Sequence, residues 1–424
     1  MRVTRVLLAA FIVILFLGGC APDKNKENNN ATTAGSTAAT TAKPATSGRP
    51  PETTPEPSRT ETDPSMLTLS KMSTEEKIGQ LLVFGFEGAE ADVQASGIIS
   101  KYKPGGLIIM GDNVKSAVQL RQLVNSLKAA ASKNRVPAFI SVDEEGGRVS
   151  RMPPELRNMP SALTVGKTGD SGYAKNMGGV IAEELKAFGF NMDFAPVLDI
   201  WSNPKNTVIG DRAFGTDPKT AGAMGVQAMK GLADGGIIPV VKHFPGHGDT
   251  VADSHKELPV SNSSPERLKD FEFKPFEAAI ANGADAVMIA HILLEWVDDK
   301  YPSSLSKAVV TGILRNQLGF GGVVITDDMT MGAIADNYGL EEAAVMAVNA
   351  GCDLVLVVRD YDKEARVAEA LKSAVQKGEI SQERLDESVY RILKLKAKYG
   401  LTDDPVGAVD VKKLNEDISR FLQR

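Results

Sequence analysis

Eight short, almost uninterrupted apolar runs recur between residues 81 and 358, and longer segments with helical spacing separate them. Because apolar residues occupy consecutive rather than alternate positions, each run is typical of a strand buried on both faces. The runs are residues 81–86, 106–110, 138–143, 190–198, 238–243, 286–291, 322–327 and 353–358. Eight β–α units in series predict an α/β protein with a (β/α)8 barrel over residues 66–424.

A doubly wound parallel sheet is the alternative arrangement for alternating strands and helices. Such a sheet often binds a dinucleotide through a Gly-rich turn after its first strand, and no such turn follows residues 81–86. The barrel is therefore the favoured fold.

Several helix signals accompany the strands. Ser73 and Glu76 stand three apart, which predicts a capping box at the start of a helix. Residues 116–124 have helical spacing, and one broad apolar face is expected to contain Val118, Leu120, Leu123 and Val124. The last helix of the barrel is expected to bury Leu385, Val389, Ile392 and Leu393 and to stop at Gly400.

Residues 1–20 have the pattern of an export signal. Arg2 and Arg5 precede an apolar run over residues 6–17, and Cys20 follows at the position of the lipidated cysteine in a bacterial lipobox, which residues 17–20 resemble. An ordinary secretory signal or an uncleaved anchor are the alternatives, but the run is short for a membrane span. We expect an exported protein anchored to the membrane by lipid on Cys20 and facing the extracytoplasmic side.

Residues 21–65 contain no Val, Ile, Leu, Met, Phe, Trp or Tyr. Such a segment cannot bury enough apolar surface to offset the entropy lost on ordering. It is predicted to be a disordered tether, rich in Thr, Ala, Pro and Asn, between the anchor and the barrel.

Charge and cysteine content narrow the function classes. The net charge is −6, and no basic run lies outside the signal, so nothing indicates a nucleic-acid partner. The only other cysteine, Cys352, lies in an apolar stretch and is expected to be a small buried residue.

Polar and ionisable residues end several of the predicted strands. In a barrel, the carboxyl ends of the strands and the loops after them form one rim, which carries the chemistry. One acidic strand end is easily explained as a helix cap, but the set as a whole indicates a polar substrate. Its members include Asp143, Asp199, Lys242, His243, His291, Asp327 and Asp328.

Three of the four histidines lie within residues 243–255, in a Gly-rich stretch after the fifth strand. His243, His247 and His255 could be metal ligands, since zinc sites use such sets. They do not have the helical spacing of metalloprotease ligands, so no metal is expected. His247 is expected to shape its loop through hydrogen bonds.

These residues also carry a family resemblance. Residues 242–248 with 253–255 resemble the signature of the β-N-acetylglucosaminidases of glycoside hydrolase family 3. The match extends to residues 143–151, 210–212 and 324–331, and the resemblance covers essentially everything from Met66 onward. Members of that family have a (β/α)8 barrel, in agreement with the strand count.

The resemblance implies a role for each matching residue. Asp327 corresponds to the catalytic nucleophile, His255 to the general acid/base and Asp253 to its partner. The positions that hold the N-acetylglucosamine unit correspond to Asp143, Arg151, Arg212, Lys242 and His243. Asp328 is expected to be structural, and Trp201 and Trp296 could either stack on sugars or pack.

Together these features predict a retaining exo-β-N-acetylglucosaminidase that removes terminal N-acetylglucosamine from cell-wall fragments, as a monomer and without a cofactor. Three other functions stay open. A phosphorylase is the closest, because a neutral histidine tolerates an incoming phosphate better than a carboxylate would. A zinc-dependent hydrolase and a non-catalytic sugar-binding lipoprotein are the others.

Overall fold

The computed structural model describes residues 63–250, 253–358 and 360–423. The predicted signal, the lipidated Cys20 and nearly all of the tether lie outside these ranges. Within them, no helix combines the length and the apolar composition that a membrane crossing requires.

Eight parallel strands form the barrel, and all eight predicted strands are confirmed. Hydrogen-bonded neighbours follow the order β10-β1-β2-β3-β4-β5-β7-β9, and a parallel bridge between Ile325 and Leu354 joins the two ends. The barrel strands are β1 (Leu82–Phe84), β2 (Gly106–Ile108), β3 (Phe139–Val142), β4 (Met192–Asp193), β5 (Ile238–Phe244), β7 (Ala286–Ile289), β9 (Val323–Thr326) and β10 (Val355–Val357). A separate parallel pair, β6 (Val260–Ser261) and β8 (Leu293–Leu294), lies after strands β5 and β7.

Helices surround the barrel and connect its strands. They are α1 (Pro64–Leu69), α2 (Thr74–Gln80), α3 (Val93–Tyr102), α4 (Ala117–Ala131), α5 (Ala162–Gly166), α6 (Ser171–Phe188), α7 (Pro218–Asp234), α8 (Pro265–Arg267), α9 (Lys274–Ala281), α10 (Gly332–Ala335), α11 (Leu340–Ala350), α12 (Tyr361–Lys377), α13 (Gln382–Lys398) and α14 (Val411–Leu422). Two π-helical segments, Leu268–Glu272 and Ala308–Gln317, complete the set together with short 3-10 turns.

The helix signals in the sequence are mostly confirmed. At α2 the Ser73 hydroxyl accepts from the Glu76 amide at 3.2 Å, while the Glu76 carboxylate accepts from the Ser73 amide at 2.9 Å. The buried face predicted near the end of the chain is that of α13, and Gly400 follows it with a φ of 57°, in the left-handed region. The capping box and the stop at Gly400 form as predicted because residues close in sequence supply their contacts.

One predicted core position is wrong. Leu120, Leu123 and Val124 of α4 are buried, but Val118 is 63% exposed. Two residues correspond to about 200° of rotation along a helix, so Val118 lies on the far side from Leu120.

The amino end of β10 is held by ion pairs. Asp353, fully buried just before β10, contacts Arg315, Arg384 and Arg391 at 2.6–3.3 Å. Cys352 beside it is buried, as expected, and burial raises the pKa of its thiol to about 12. This end of the barrel is thereby tied to the surrounding helices, away from the strand ends that carry the candidate site.

Helix α1 begins at Pro64, two residues before the predicted start of the globular part. The Asp63 carboxylate caps it by accepting from the Ser65 amide at 2.8 Å, and also accepts from the Tyr390 hydroxyl at 2.7 Å. Because Tyr390 lies on α13, this contact attaches the first described helix to the last helix of the barrel.

Candidate active site

A cavity of about 200 Å³ opens at the carboxyl ends of the barrel strands. Every predicted sugar-binding residue lines it, together with both residues predicted to react. These are Asp143, Arg151, Arg212, Lys242, His243, His255 and Asp327. The sequence therefore identified residues that strands far apart in the chain bring to one place.

A buried network of charges forms one wall of the cavity. The Lys242 ammonium lies 2.6 Å from the Asp143 carboxylate and 2.7 Å from Glu145. Glu145 in turn accepts two bonds of 2.8 Å from Arg212, one from Nε and one from Nη2. Burial alone would raise the pKa of Glu145, but the positive charges of Arg212 and Lys242 outweigh it and hold that pKa well below its usual range.

Glu145 was not among the predicted site residues. Its position in the acidic stretch after β3 was the available signal, but its partners become evident only in the fold. By pairing with both cations, Glu145 holds the Lys242 and Arg212 side chains in the wall of the cavity that they line.

The His243 ring is oriented by a second carboxylate, Asp199, which the sequence places among the polar strand-end residues without assigning it a role. Asp199 is fully buried, and its Oδ2 lies 2.6 Å from His243 Nδ1. Although burial raises the pKa of Asp199, the adjacent His243 and His247 lower it further than burial raises it. Because the ionised Asp199 only accepts, His243 Nδ1 carries the proton, and Nε2 on the other side of the ring lies 3.4 Å from Arg212 Nη2, from which it can accept.

Asp327 directly follows β9 and reaches the cavity. Its Oδ1 accepts from the Asp328 amide at 2.8 Å. Burial would raise the pKa of Asp327, but the imidazoles of His243 and His291 and this hydrogen bond lower it on balance. An ionised carboxylate held at a strand end has the charge and the rigidity that a nucleophile needs.

Asp328 also borders the cavity, but its oxygens are engaged within the loop. They accept from the Thr330 amide at 2.9 Å, the Thr330 hydroxyl at 2.7 Å and the Val358 amide at 3.2 Å. Burial raises the pKa of Asp328 to about 6. These contacts are those of a residue that fixes the end of β9, as the sequence suggested.

His291 contacts the loop after β9 that carries Asp327 and Asp328. Its Nε2 lies 3.0 Å from the Asp328 carbonyl, and its Nδ1 lies 2.7 Å from the Ser304 hydroxyl. A carbonyl only accepts, so Nε2 carries the proton and Nδ1 accepts from Ser304. Burial lowers the pKa of His291, which keeps the ring neutral in this arrangement.

His255 and Asp253 form a contact pair on the loop after β5. Asp253 Oδ1 lies 2.9 Å from His255 Nδ1 and also accepts from the His255 amide at 3.0 Å. The His255 side chain is 67% exposed, so it stands at the mouth of the cavity rather than inside it. Burial would raise the pKa of Asp253, but these hydrogen bonds lower it, so a carboxylate is present to stabilise the imidazolium of His255.

His247 shapes the start of the same loop. It is buried, its amide donates to Asp199 Oδ1 at 2.6 Å, and its ring contacts the hydroxyls of Thr250 and Ser254. Among the residues that the structure describes, no three His, Cys, Asp or Glu side chains converge as metal ligands. The nitrogens of His247 are instead engaged in hydrogen bonds.

The two tryptophans lie away from the cavity lining. Trp201 packs against Val197, Ile209 and Ala213, and its indole donates to the Asn206 carbonyl at 3.1 Å. Trp296 follows β8 and is 68% exposed. Packing accounts for Trp201.

Comparison with known proteins gives a consistent result. The family model described as the N-terminal domain of glycosyl hydrolase family 3 matches residues 73–395. Beta-hexosaminidase A of Pseudoalteromonas piscicida is 34% identical over 330 residues, which cover 72% of this chain but only 55% of that protein. Beta-hexosaminidase LpqI of Mycobacterium tuberculosis is 35% identical over 334 residues, which cover 77% of this chain and 83% of that protein.

Among solved structures, the glycoside hydrolase family 3 beta-N-acetylglucosaminidase from Paenibacillus sp. FPU-7 superposes with a TM-score of 0.78 at 40% identity. The superposition covers 82% of this chain and 68% of the Paenibacillus chain. The family match includes all eight barrel strands and every residue of the candidate active site, and the chain therefore belongs to glycosyl hydrolase family 3.

Proposed function

We propose that this protein is a retaining exo-β-N-acetylglucosaminidase. One observation carries the proposal: a single cavity combines the ionised Asp327, a hydrogen-bonding wall around Lys242 and Arg212, and His255 at its mouth. Because side chains fill the interior of such a barrel, the cavity ends blindly. A blind cavity favours release of one terminal sugar at a time.

In the first step, an Asp327 oxygen attacks the anomeric carbon while the bond to the leaving oxygen breaks. Protonated His255 donates its Nε2 proton to that oxygen, and Asp253 stabilises the imidazolium beforehand. In the second step, neutral His255 takes a proton from water, which displaces Asp327 from the anomeric carbon. Two inversions give net retention, and an imidazole suits both steps because it can donate a proton and then accept one.

The sugar-binding roles follow from hydrogen-bonding capacity. Lys242 and Arg212 donate and Asp143 accepts, and the His243 ring, held by Asp199 at Nδ1 and contacted by Arg212 at Nε2, borders the same cavity. Hydroxyl groups both donate and accept, so this mixed wall suits a sugar. The donors of Arg151, which also lines the cavity, suit the carbonyl of the acetamido group.

We further propose that the substrate is cell-wall material with terminal N-acetylglucosamine β-linked to N-acetylmuramic acid. The support is the lipobox pattern at Cys20 and the polar tether after it, which would place the barrel outside the cytoplasm near the cell wall. Labelling cells with a clickable fatty acid tests the anchor. Label on the protein that disappears in Cys20→Ser is expected, and equal label on both would contradict lipidation.

The activity is tested on the full-length protein in detergent with 4-nitrophenyl N-acetyl-β-glucosaminide. Release of nitrophenol is expected, and a 5-fluoro glycosyl inactivator should label the peptide that contains Asp327. Rates in phosphate and in a non-phosphate buffer, with analysis for sugar 1-phosphate, separate hydrolysis from phosphorolysis. Binding of N-acetylglucosamine without any release would support the non-catalytic alternative, and loss of activity with chelator would support the zinc alternative.

A further inference from the structure

The loop that carries His255 has a defined attachment on its inner side. We call residues 253–257 the His255 loop. It is a tight turn in which the Asp253 carbonyl accepts from the amides of Lys256 and Glu257 at 2.8 and 3.0 Å. His255 projects outward from this turn, whereas Ser254 is only 2% exposed and lies 3.3 Å from His247 Nε2 through its hydroxyl.

The direction of this hydrogen bond follows from its neighbours. The Thr250 hydroxyl lies 3.0 Å from the His247 carbonyl, to which it can only donate, and 2.6 Å from His247 Nδ1. With its proton given to the carbonyl, Thr250 accepts from Nδ1–H. Nε2 of neutral His247 is then an acceptor, and the Ser254 hydroxyl donates to it. The bond therefore needs a hydroxyl at position 254 and a neutral ring at position 247.

His247 is itself held firmly in place. Its side chain is 2% exposed, and its amide donates to Asp199, the carboxylate that also orients the sugar-binding His243. The Ser254 hydroxyl thus ties the His255 loop to the same rigid group that supports the cavity wall.

The outer backbone of the turn is attached to the loop after β9. The carbonyls of Ser254 and His255 accept from the amides of Ala333 and Gly332 at 3.1 and 3.3 Å. These two bonds hold the outer side of the turn against the start of α10. The Ser254 hydroxyl holds its inner side against His247, and together these attachments determine the position of the exposed His255 ring.

We propose that Ser254 is a positioning residue for proton transfer, whose hydroxyl, donated to His247, holds His255 in register with the leaving-group oxygen. The inference rests on the proposed function, because it assigns His255 the acid/base role. It predicts that loss of this hydroxyl impairs proton transfer and leaves sugar binding and nucleophilic attack intact.

The test compares wild type with Ser254→Ala, both full length, on two substrates. Chitobiose has a poor leaving group that needs protonation, whereas 2,4-dinitrophenyl N-acetyl-β-glucosaminide does not. For Ser254→Ala, kcat/KM on chitobiose should fall by about tenfold to a hundredfold, as small misplacements of a reacting group do. On the dinitrophenyl substrate kcat/KM should stay within about twofold, which also reports that the variant is folded.

Two further variants sharpen the result. Ser254→Cys keeps the shape with a weaker donor and should lose less than Ser254→Ala. Ser263→Ala makes the matched change at a half-buried serine after β6 and should behave as wild type. Hydrogen exchange of the peptide that contains the His255 loop should accelerate in Ser254→Ala alone.

Unchanged chitobiose hydrolysis in Ser254→Ala would overturn the proposal, as would equal losses on both substrates. Failure of the proposed function is distinguishable, because wild type would then cleave neither substrate. If Ser254→Ala does not fold, Ser254→Cys decides: a selective loss on chitobiose supports the proposal, and wild-type rates on both substrates overturn it.

Discussion

The backbone amide of Gly332 donates to the carbonyl of His255 at 3.3 Å. Gly332 begins α10, five residues after Asp327, so the loop that carries the proposed nucleophile directly supports the one that carries the proposed acid/base. The two proposed reacting groups therefore lie on different loops whose positions depend on each other. A change in one loop should be felt in the chemistry of the other.

The close approach at Gly332 gives the first prediction. A Cβ there would lie 2.8 Å from the His255 carbonyl oxygen and 3.2 Å from the Lys256 carbonyl carbon, so Gly332→Ala must push the His255 loop away. We expect kcat/KM on chitobiose to fall by about a hundredfold, with a smaller loss on the dinitrophenyl glycoside. Gly179→Ala is the control, since a Cβ at Gly179 in α6 meets nothing within 4 Å. Wild-type hydrolysis of chitobiose by Gly332→Ala would show that the contact does not position His255.

Asp327→Asn tests the nucleophile. The amide keeps the shape but attacks poorly, so turnover should fall by at least about 10³-fold, in the range seen when a nucleophile is removed. Calorimetry should show that N-acetylglucosamine still binds. The matched change Asp328→Asn should lower thermal stability, because Asp328 accepts from Thr330 and Val358, and should spare more of the turnover. If Asp328→Asn were the inactive variant, the roles of the two residues would have to be exchanged.

His255→Ala tests the acid/base through the leaving group. On chitobiose, kcat/KM should fall by about 10²–10⁴-fold. On the dinitrophenyl glycoside kcat/KM should change little, but kcat should fall because the second step lacks its base. Added azide needs no base, so it should restore kcat and yield a β-glycosyl azide. Equal losses of kcat/KM on both substrates would argue against proton donation by His255.

The sequence predicted the barrel well because its strands are buried on both faces, and such strands consist of consecutive apolar residues. Motif matches likewise located the residues that line the cavity. The roles of the supporting residues could not be predicted, because these roles arise between distant segments: Asp199 contacts His243, and Glu145 contacts Arg212. Val118 was misplaced for a different reason, since an apolar residue can be exposed on a helix without cost to the fold.

Two adjacent glutamates after β3, Glu144 and Glu145, should change the stability of the protein with pH in opposite directions. The pKa of Glu145 is lowered in the fold, so its ion pairs stabilise the protein above the unfolded pKa near 4.5, and that contribution is lost as the pH falls below it. Glu145→Gln leaves Lys242 and Arg212 short of a partner and should cost about 3–5 kcal/mol of unfolding free energy at pH 7. The cost should shrink as the pH drops below about 4.5.

Burial raises the pKa of Glu144 to about 7, so its contribution to the free energy of unfolding changes with pH in the opposite direction. Its contribution is fully present below pH 4.5 and declines as the pH rises toward 7, because the folded state must then ionise a buried carboxyl. Its Oε2 accepts from the Arg151 amide at 2.8 Å, a bond that a glutamine oxygen can also accept. Relative to wild type, Glu144→Gln should therefore gain stability between pH 4.5 and 7. Denaturant unfolding of the three proteins from about pH 2.5 to about pH 8 measures both slopes, and parallel curves for the two variants would contradict the assigned burial and ion pairing.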